Sequence, residues 1–289
     1  MEYAMSQRKP ARSKIFFKKM STMLPPIRDR WTPLYFEHGR MEQDGYSIKF
    51  IHADGDIETI PVAQISCIML GPGTTITHQS IVSCSKTHTP IVWVGEDSLS
   101  FYAAGVEVNE KCHTAAKQAE LFADPIKKLK VAQEMFRTRF GEEAIGGSLE
   151  SLRGMEGHRV KAMYERLAQE HNVTWEKRWY GYNSTGDQAP SLNYLIDVAN
   201  RWLYAICLSV VTTMGYIPSL GFVHSDGKIP FIYDVADMYK EEYTFSTCFE
   251  VWRDGGSIEL EILKEALVTK VVQNKLLRQI PLDLKRIIA

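Results

Sequence analysis

Four side chains in this sequence have the types and spacing to do chemistry: Glu156, His224, Asp234 and Asp237. Glu156 interrupts an apolar stripe. Leu149, Leu152, Val160, Met163 and Leu167 recur at helical steps of three and four, and the position between 152 and 160 carries a carboxylate instead. A charged carboxylate on a buried stripe is costly unless a cation, a metal or a proton accompanies it. Arg153 or Arg159, at the edge of the stripe, could be that cation; a bound metal is the other reading. Asp234 and Asp237 stand three residues apart, on one face of a helical turn, among apolar Val235, Ala236 and Met238. Capping of a helix N-terminus would explain Asp234 but not Asp237. His224, at the end of Gly221-Phe-Val-His, reads on its own as a satisfied core histidine.

As a set they describe one kind of centre. Hard oxygen donors plus one imidazole, with no thiolate, suit Mg²⁺ or Mn²⁺ better than Zn²⁺. Such an ion can polarise a phosphodiester, activate a water or a DNA 3′-hydroxyl and offset charge on the leaving oxygen. Phosphoryl transfer asks little more of a protein than positioning. No Gly-rich phosphate loop, Gly-x-Ser-x-Gly elbow or His-Glu-x-x-His motif competes with this reading.

The elements that must position these groups fall into two textures, an α+β chain with a small β-rich part followed by a larger, mainly helical one. Between Trp31 and about Ala104, β-branched and aromatic residues alternate with turn signals such as Asp44-Gly45 and Asp54-Gly55. Tyr46–Ile51 and Ile57–Ile60 alternate as half-buried strands, Ile65–Leu70 reads as a central strand, and Ile91–Val94 as a buried one. His78–His88 reads as a short helix. We place a basic N-terminal extension at 1–23, a β-domain at 24–105, a linker at 106–112 and a helical catalytic domain at 113–289. Within the last, Asp124-Pro125 opens a helix to about Phe140. Further helices are expected from Ser148 to His171, from Ser191 to Met214, from about Asp234, and from Ile258 to Leu277. Trp175–Pro190 reads as a loop.

Composition narrows the setting. At 289 residues, 45% hydrophobic and 24% charged, the chain is ordinary globular material with two domains as the natural expectation. No uninterrupted apolar stretch approaches the roughly 18–20 residues of a membrane span, and no signal peptide is legible, so a cytosolic protein away from membranes is expected. The five cysteines (67, 84, 112, 207 and 248) are scattered and read as reduced, buried thiols. The net charge of −1 hides an uneven distribution: residues 1–30 hold eight Lys or Arg against two acids, leaving −7 for the rest. A second basic concentration includes Lys270, Lys275, Arg278, Lys285 and Arg286, so a DNA-binding face is possible despite the balance.

The segments Leu152-Arg-Gly-Met-Glu-Gly-His-Arg159, Gly221-Phe-Val-His224 and Tyr233-Asp-Val-Ala-Asp237 resemble the signature blocks of the universal CRISPR adaptation integrase. Ile60-Pro-Val62, Cys67-Ile-Met-Leu70 and Val92-Trp-Val-Gly-Glu96 resemble its type I-E branch, and the likeness runs from about Pro25 to about Leu277. The resemblance implies a metal-dependent endonuclease and integrase that joins the 3′-hydroxyl ends of prespacer DNA to the CRISPR repeat by transesterification. It implies a homodimer formed through the β-domain, and two dimers gripping a small ferredoxin-like companion protein and double-stranded DNA. Glu156, His224 and Asp237 match its metal ligands, with Mg²⁺ or Mn²⁺ as cofactor, and Asp234 matches an acidic support. Arg153, Tyr204, Tyr233 and Lys240 match positions near the pocket or the DNA, although Tyr204 also suits the core of an apolar helix. Two positions depart from the branch pattern: His38 stands where relatives often have tyrosine, and Ser100 where they often have arginine. A non-catalytic DNA-binding scaffold and a metal-dependent nuclease of branched DNA outside CRISPR are the alternative functions.

Overall fold

Two short apolar runs organise the first part of the chain. In the computed structural model, which describes residues 30, 33–45, 47–95, 101–105, 112–141, 147–175, 177–178, 191–252 and 260–289, they form β5 (Ile68–Leu70) and β7 (Ile91–Val94). Both are interior strands of a four-stranded sheet ordered β1-β5-β7-β8, with β1 at Leu34–Phe36 and β8 at Phe101–Gly105. The first three strands are parallel and β8 is antiparallel to β7. Parallel strands covered on both faces read as unbroken apolar runs, which is what Ile-Met-Leu and Ile-Val-Trp-Val are. Alternation then sorts the side chains. Ile68, Leu70 and Ile91 join a smaller core with Phe36, Met41, Ile48 and Phe50, whereas Met69, Val92 and Val94 join the large core of the helices. The sheet is thus shared between both cores.

The smaller core is closed by a second sheet, ordered β4-β3-β2-β6, and by α1 (His78–Lys86). Its strands are β2 (Gly39–Asp44), β3 (Ser47–His52), β4 (Ile57–Ile60) and β6 (Thr74–Ile76), antiparallel except for the β2–β6 pair. The expected central strand at 65–70 is shorter: Ile65 makes only an isolated bridge, Ser66 and Cys67 are buried ahead of the strand, and β5 covers Ile68–Leu70 alone. His38 lies exposed in the turn between β1 and β2 with a left-handed φ of 51°. Ser100, the extension 1–23 and most of the expected linker (106–111) lie outside the described residues.

The second part is helical: α2 (Cys112–Ala123), α3 (Pro125–Phe140), α4 (Leu149–His171), α5 (Leu192–Thr213), α6 (Pro230–Asp237), α7 (Ser246–Trp252), α8 (Leu260–Gln273) and α9 (Leu276–Ile287). A π-helical turn at Glu241–Phe245 leads into α7. Asp124, Ser148 and Ser191 accept hydrogen bonds from the first-turn amides of α3, α4 and α5, so the three N-termini fall where capping chemistry puts them. α5 is the central helix, with 14 of its 22 residues buried. Although no unbroken apolar run in it reaches membrane length, it is the one described helix long and apolar enough overall to cross a membrane; here protein covers it.

Three boundaries differ from expectation. A single helix over 258–277 is in fact two, broken at Lys275 with φ 55°, and α9 continues through Pro281 to Ile287. Proline removes one backbone bond inside that helix, but Leu277, Ile280, Leu284 and Ile287 bury a strong apolar stripe that holds it. α2 begins at Cys112, inside the segment expected to be linker. α6 begins at Pro230 rather than near Asp234, with consequences for the site.

Between α5 and α6 the chain must run back as a loop, and Gln118 of α2 fixes it. The Gln118 side chain is fully buried, donating to the carbonyls of Ile217 (3.0 Å) and Leu220 (2.9 Å) and accepting from the Ile217 amide (2.7 Å). Replacement by leucine keeps the volume and removes all three bonds, leaving the half-buried Ile217 amide and Leu220 carbonyl without this partner. Gln118→Leu is expected to destabilise the protein by about 1–3 kcal/mol, and a urea unfolding midpoint equal to that of the parent would refute this.

Candidate active site

Because α6 opens with Pro230 at its first position, Asp234 lies inside the helix and does not cap it. Its carboxylate, 2% exposed, turns instead to the loop before the helix. One oxygen (Oδ2) accepts from the amides of Phe222 (2.5 Å) and Val223 (3.0 Å); the other (Oδ1) accepts from the amide (2.8 Å) and the ring Nδ1 (2.7 Å) of His224. Four donors on one carboxylate make a rigid seat. Gly221 lets the loop close, since a Cβ there would strike the His224 carbonyl and the Pro230 backbone. An ionised carboxylate only accepts, so the proton of neutral His224 sits on Nδ1. The lone pair of Nε2 then faces away from Asp234, and Nε2 lies 3.9 Å from Asp237 Oδ2.

Glu156 reaches the same place from α4. Its partner is neither Arg153 nor Arg159 but Arg139, next to last in α3, whose Nη1 ion-pairs with Glu156 Oε1 and lies 3.6 Å from Asp237 Oδ2. Arg153 donates to the Val223 carbonyl and so braces the loop that carries His224. Arg159 donates to the Phe140 carbonyl at 3.5 Å. On its other oxygen, Asp237 meets Lys240, with Nζ 2.5 Å from Oδ1. Burial opposes charge on Asp237, but Lys240 and Arg139 outweigh it and hold the carboxyl below its usual range. Burial likewise works against the Lys240 ammonium, yet Asp237 and Tyr204 keep it protonated, its pKa raised above the ordinary lysine value.

Tyr204 completes the surround: Lys240 lies 4.9 Å over its ring, and its ring meets that of Tyr233 at 5.1 Å, edge to face. Tyr233 in turn stands 6.0 Å from the His224 ring. Met135, Phe136, Val223 and Met238 form the apolar side of the pocket, which limits water and strengthens the charge interactions. All eight residues singled out in the sequence therefore connect through direct contacts or one shared partner. The residue missed is Arg139. Its signal was available: Val131, Ala132, Met135 and Phe136 are the buried stripe of α3, and 139 is the next position on it.

The donor set fits a divalent cation in its chemistry: two carboxylates, and an imidazole whose tautomer is fixed by a third carboxylate behind it. Among the described residues no three of His, Cys, Asp and Glu are drawn together as a finished metal cluster. The Arg139 guanidinium stands between Glu156 and Asp237 and acts as their shared cation.

Comparison with known proteins agrees with the motifs. The family model described as CRISPR associated protein Cas1 matches residues 34–145 and 141–257. A CRISPR-associated endonuclease Cas1 2 of Chlorobaculum tepidum is 36% identical over 281 residues, covering 96% of this chain and 94% of the relative. The crystal structure of a TtCas1-DNA complex is similar at 31% identity and a TM-score of 0.66, covering 92% of this chain and 99% of the other. That of TtCas1 is similar at 27% identity and a TM-score of 0.78, covering 89% and 97%.

The Asp234 hydrogen bond raises the His224 pKa, opposed by burial and assisted by Asp237. A group raised on folding contributes stability that is complete below its unfolded value of about 6.5 and is lost as pH climbs through the folded value. Asp234→Asn is therefore expected to lower the His224 titration midpoint in metal-free protein, followed by NMR, and to cost about 1–3 kcal/mol of stability. An unmoved midpoint would rule out this coupling.

Proposed function

The chain belongs to the Cas1 family of CRISPR-associated proteins, and we propose that it is a metal-dependent DNA endonuclease and integrase of CRISPR adaptation. The observation that carries the reading is the seat of His224. Asp234 holds the imidazole so that Nε2 faces Asp237 Oδ2, and Asp237 shares its counter-ion with Glu156. An idle fold has no reason to keep two partly buried carboxylates aimed at one place.

In this reading Glu156, His224 and Asp237 hold Mg²⁺ or Mn²⁺, and Asp234 orients His224 from behind. Such an ion, when bound, polarises a phosphodiester and eases ionisation of a water or a 3′-hydroxyl beside it. The remaining work falls to the protein. Lys240 fixes Asp237 through Oδ1 and leaves Oδ2 toward the site. Arg153 keeps the His224 loop in register through the Val223 carbonyl. Tyr204 and Tyr233 form an edge-to-face wall beside Lys240 and His224. With a 3′-hydroxyl as nucleophile the same centre joins a prespacer end to a repeat by transesterification; with water it cuts.

The substrates in this proposal are double-stranded DNA, both prespacer and repeat, and the assembly is a homodimer paired around a small ferredoxin-like companion. In this reading the homodimer forms through the β-rich part. A cytosolic location goes with CRISPR DNA as substrate.

An assay with labelled prespacer, a repeat plasmid and the companion protein tests the reading. Wild type is expected to join or cut only with Mn²⁺ or Mg²⁺, and His224→Ala and Asp237→Ala to lose at least about 10²-fold in rate with circular dichroism unchanged. DNA binding by wild type with no joining or cutting would remove the enzymatic reading and leave a DNA-binding scaffold, and equal joining by wild type and Glu156→Ala would remove Glu156 from the metal site. Robust cutting without any companion would point to a nuclease outside adaptation.

A further inference from the structure

We propose that Arg139 is a stand-in cation: a positioning residue that holds Glu156 and Asp237 together while the site is metal-free and surrenders them when a divalent ion binds. The inference rests on the metal reading above and deepens it.

Three observations carry it. The Arg139 side chain is 10% exposed and meets both carboxylates through one nitrogen, Nη1. On Asp237 the oxygen it approaches is Oδ2, the one that faces His224 Nε2, whereas Lys240 holds Oδ1. Arg139 therefore neutralises the atoms turned into the site, and Lys240 those turned away from it. Finally, the guanidinium lies 4.7 Å over the Phe140 ring, so it has an aromatic face to remain on when the carboxylates are taken.

The physical need is plain. Two carboxylates at one apolar-sided pocket repel each other. A guanidinium between them offsets that repulsion and holds both in place without a metal, so the ligands are preorganised before the ion arrives. The same contact competes with the ion, since both cannot hold Glu156 Oε1 and Asp237 Oδ2. Arginine suits the task better than lysine: it stays charged, and its planar guanidinium can lie on the Phe140 ring while Nη1 meets the carboxylates.

Mn²⁺ binding by isothermal titration calorimetry, paired with thermal unfolding with and without Mn²⁺, tests this on wild type, Arg139→Gln, Arg139→Lys and His224→Ala. Arg139→Gln is expected to unfold at a lower temperature than wild type without metal and to regain most of the difference at saturating Mn²⁺. Its Mn²⁺ dissociation constant should fall on the order of tenfold, the scale of one charge-assisted contact released from competition. Arg139→Lys, which keeps the charge and protects against loss of fold, should lie between the two. Equal or weaker Mn²⁺ binding by both Arg139 variants, with His224→Ala still abolishing it in otherwise wild-type protein, overturns the stand-in role and leaves the metal site intact. If wild type binds no Mn²⁺, or His224→Ala binds it unchanged, the metal reading fails and this proposal with it.

Discussion

The candidate site depends on one buried carboxylate making no use of its own helix. Asp234 spends both oxygens on the loop 222–224 and on the His224 ring. Three backbone amides in a tight loop would otherwise be orphaned beside an apolar core, and each such group is expensive to leave unmet. The carboxylate needs those donors as much as they need it, because burial without them would cost its charge. Loop and helix thus fold as one unit, and the direction of the His224 lone pair follows from that unit rather than from any contact of its own.

Much of this was legible in the sequence, and the reasons differ residue by residue. Glu156 could be found because a helix stripe has a period and a carboxylate breaks it. Asp237 could be found because its spacing from Asp234 puts it on the same face among apolar neighbours. For Asp234 the resemblance implied an acidic support, but the residues alone left capping open, because the expected helix start lay four residues late and only the tertiary loop reveals which amides it serves. Arg139 was hidden for a different reason. Arginine near a helix C-terminus is favoured by the helix dipole wherever it points, so its presence there does not by itself distinguish a site residue from a solvated one.

The fold shows the same division between local and tertiary information. β5 and β7 announce themselves as dense apolar runs because both their faces are covered. What the runs cannot disclose is that their two faces belong to different cores, one side to Phe36 and Phe50 and the other to the helices. α9 runs against the local signal, since Pro281 argues for a break. Its buried leucines and isoleucines outweigh one missing hydrogen bond, and tertiary packing settles the matter.

The charges around the pocket explain why such a centre can be both stable and receptive. Glu156, Asp234 and Asp237 bring three negative charges, and Arg139 and Lys240 two positive ones; His224, whose pKa Asp234 raises, adds a third only when protonated. With its ring neutral, the metal-free site is one charge short of balance, mild enough for a pocket with an apolar side. A divalent cation added to the same residues would leave it net positive by one, which favours approach of a polyanion such as DNA. Under the proposed function, binding the ion and attracting DNA would be one electrostatic event at these residues, in a chain whose overall charge is close to zero.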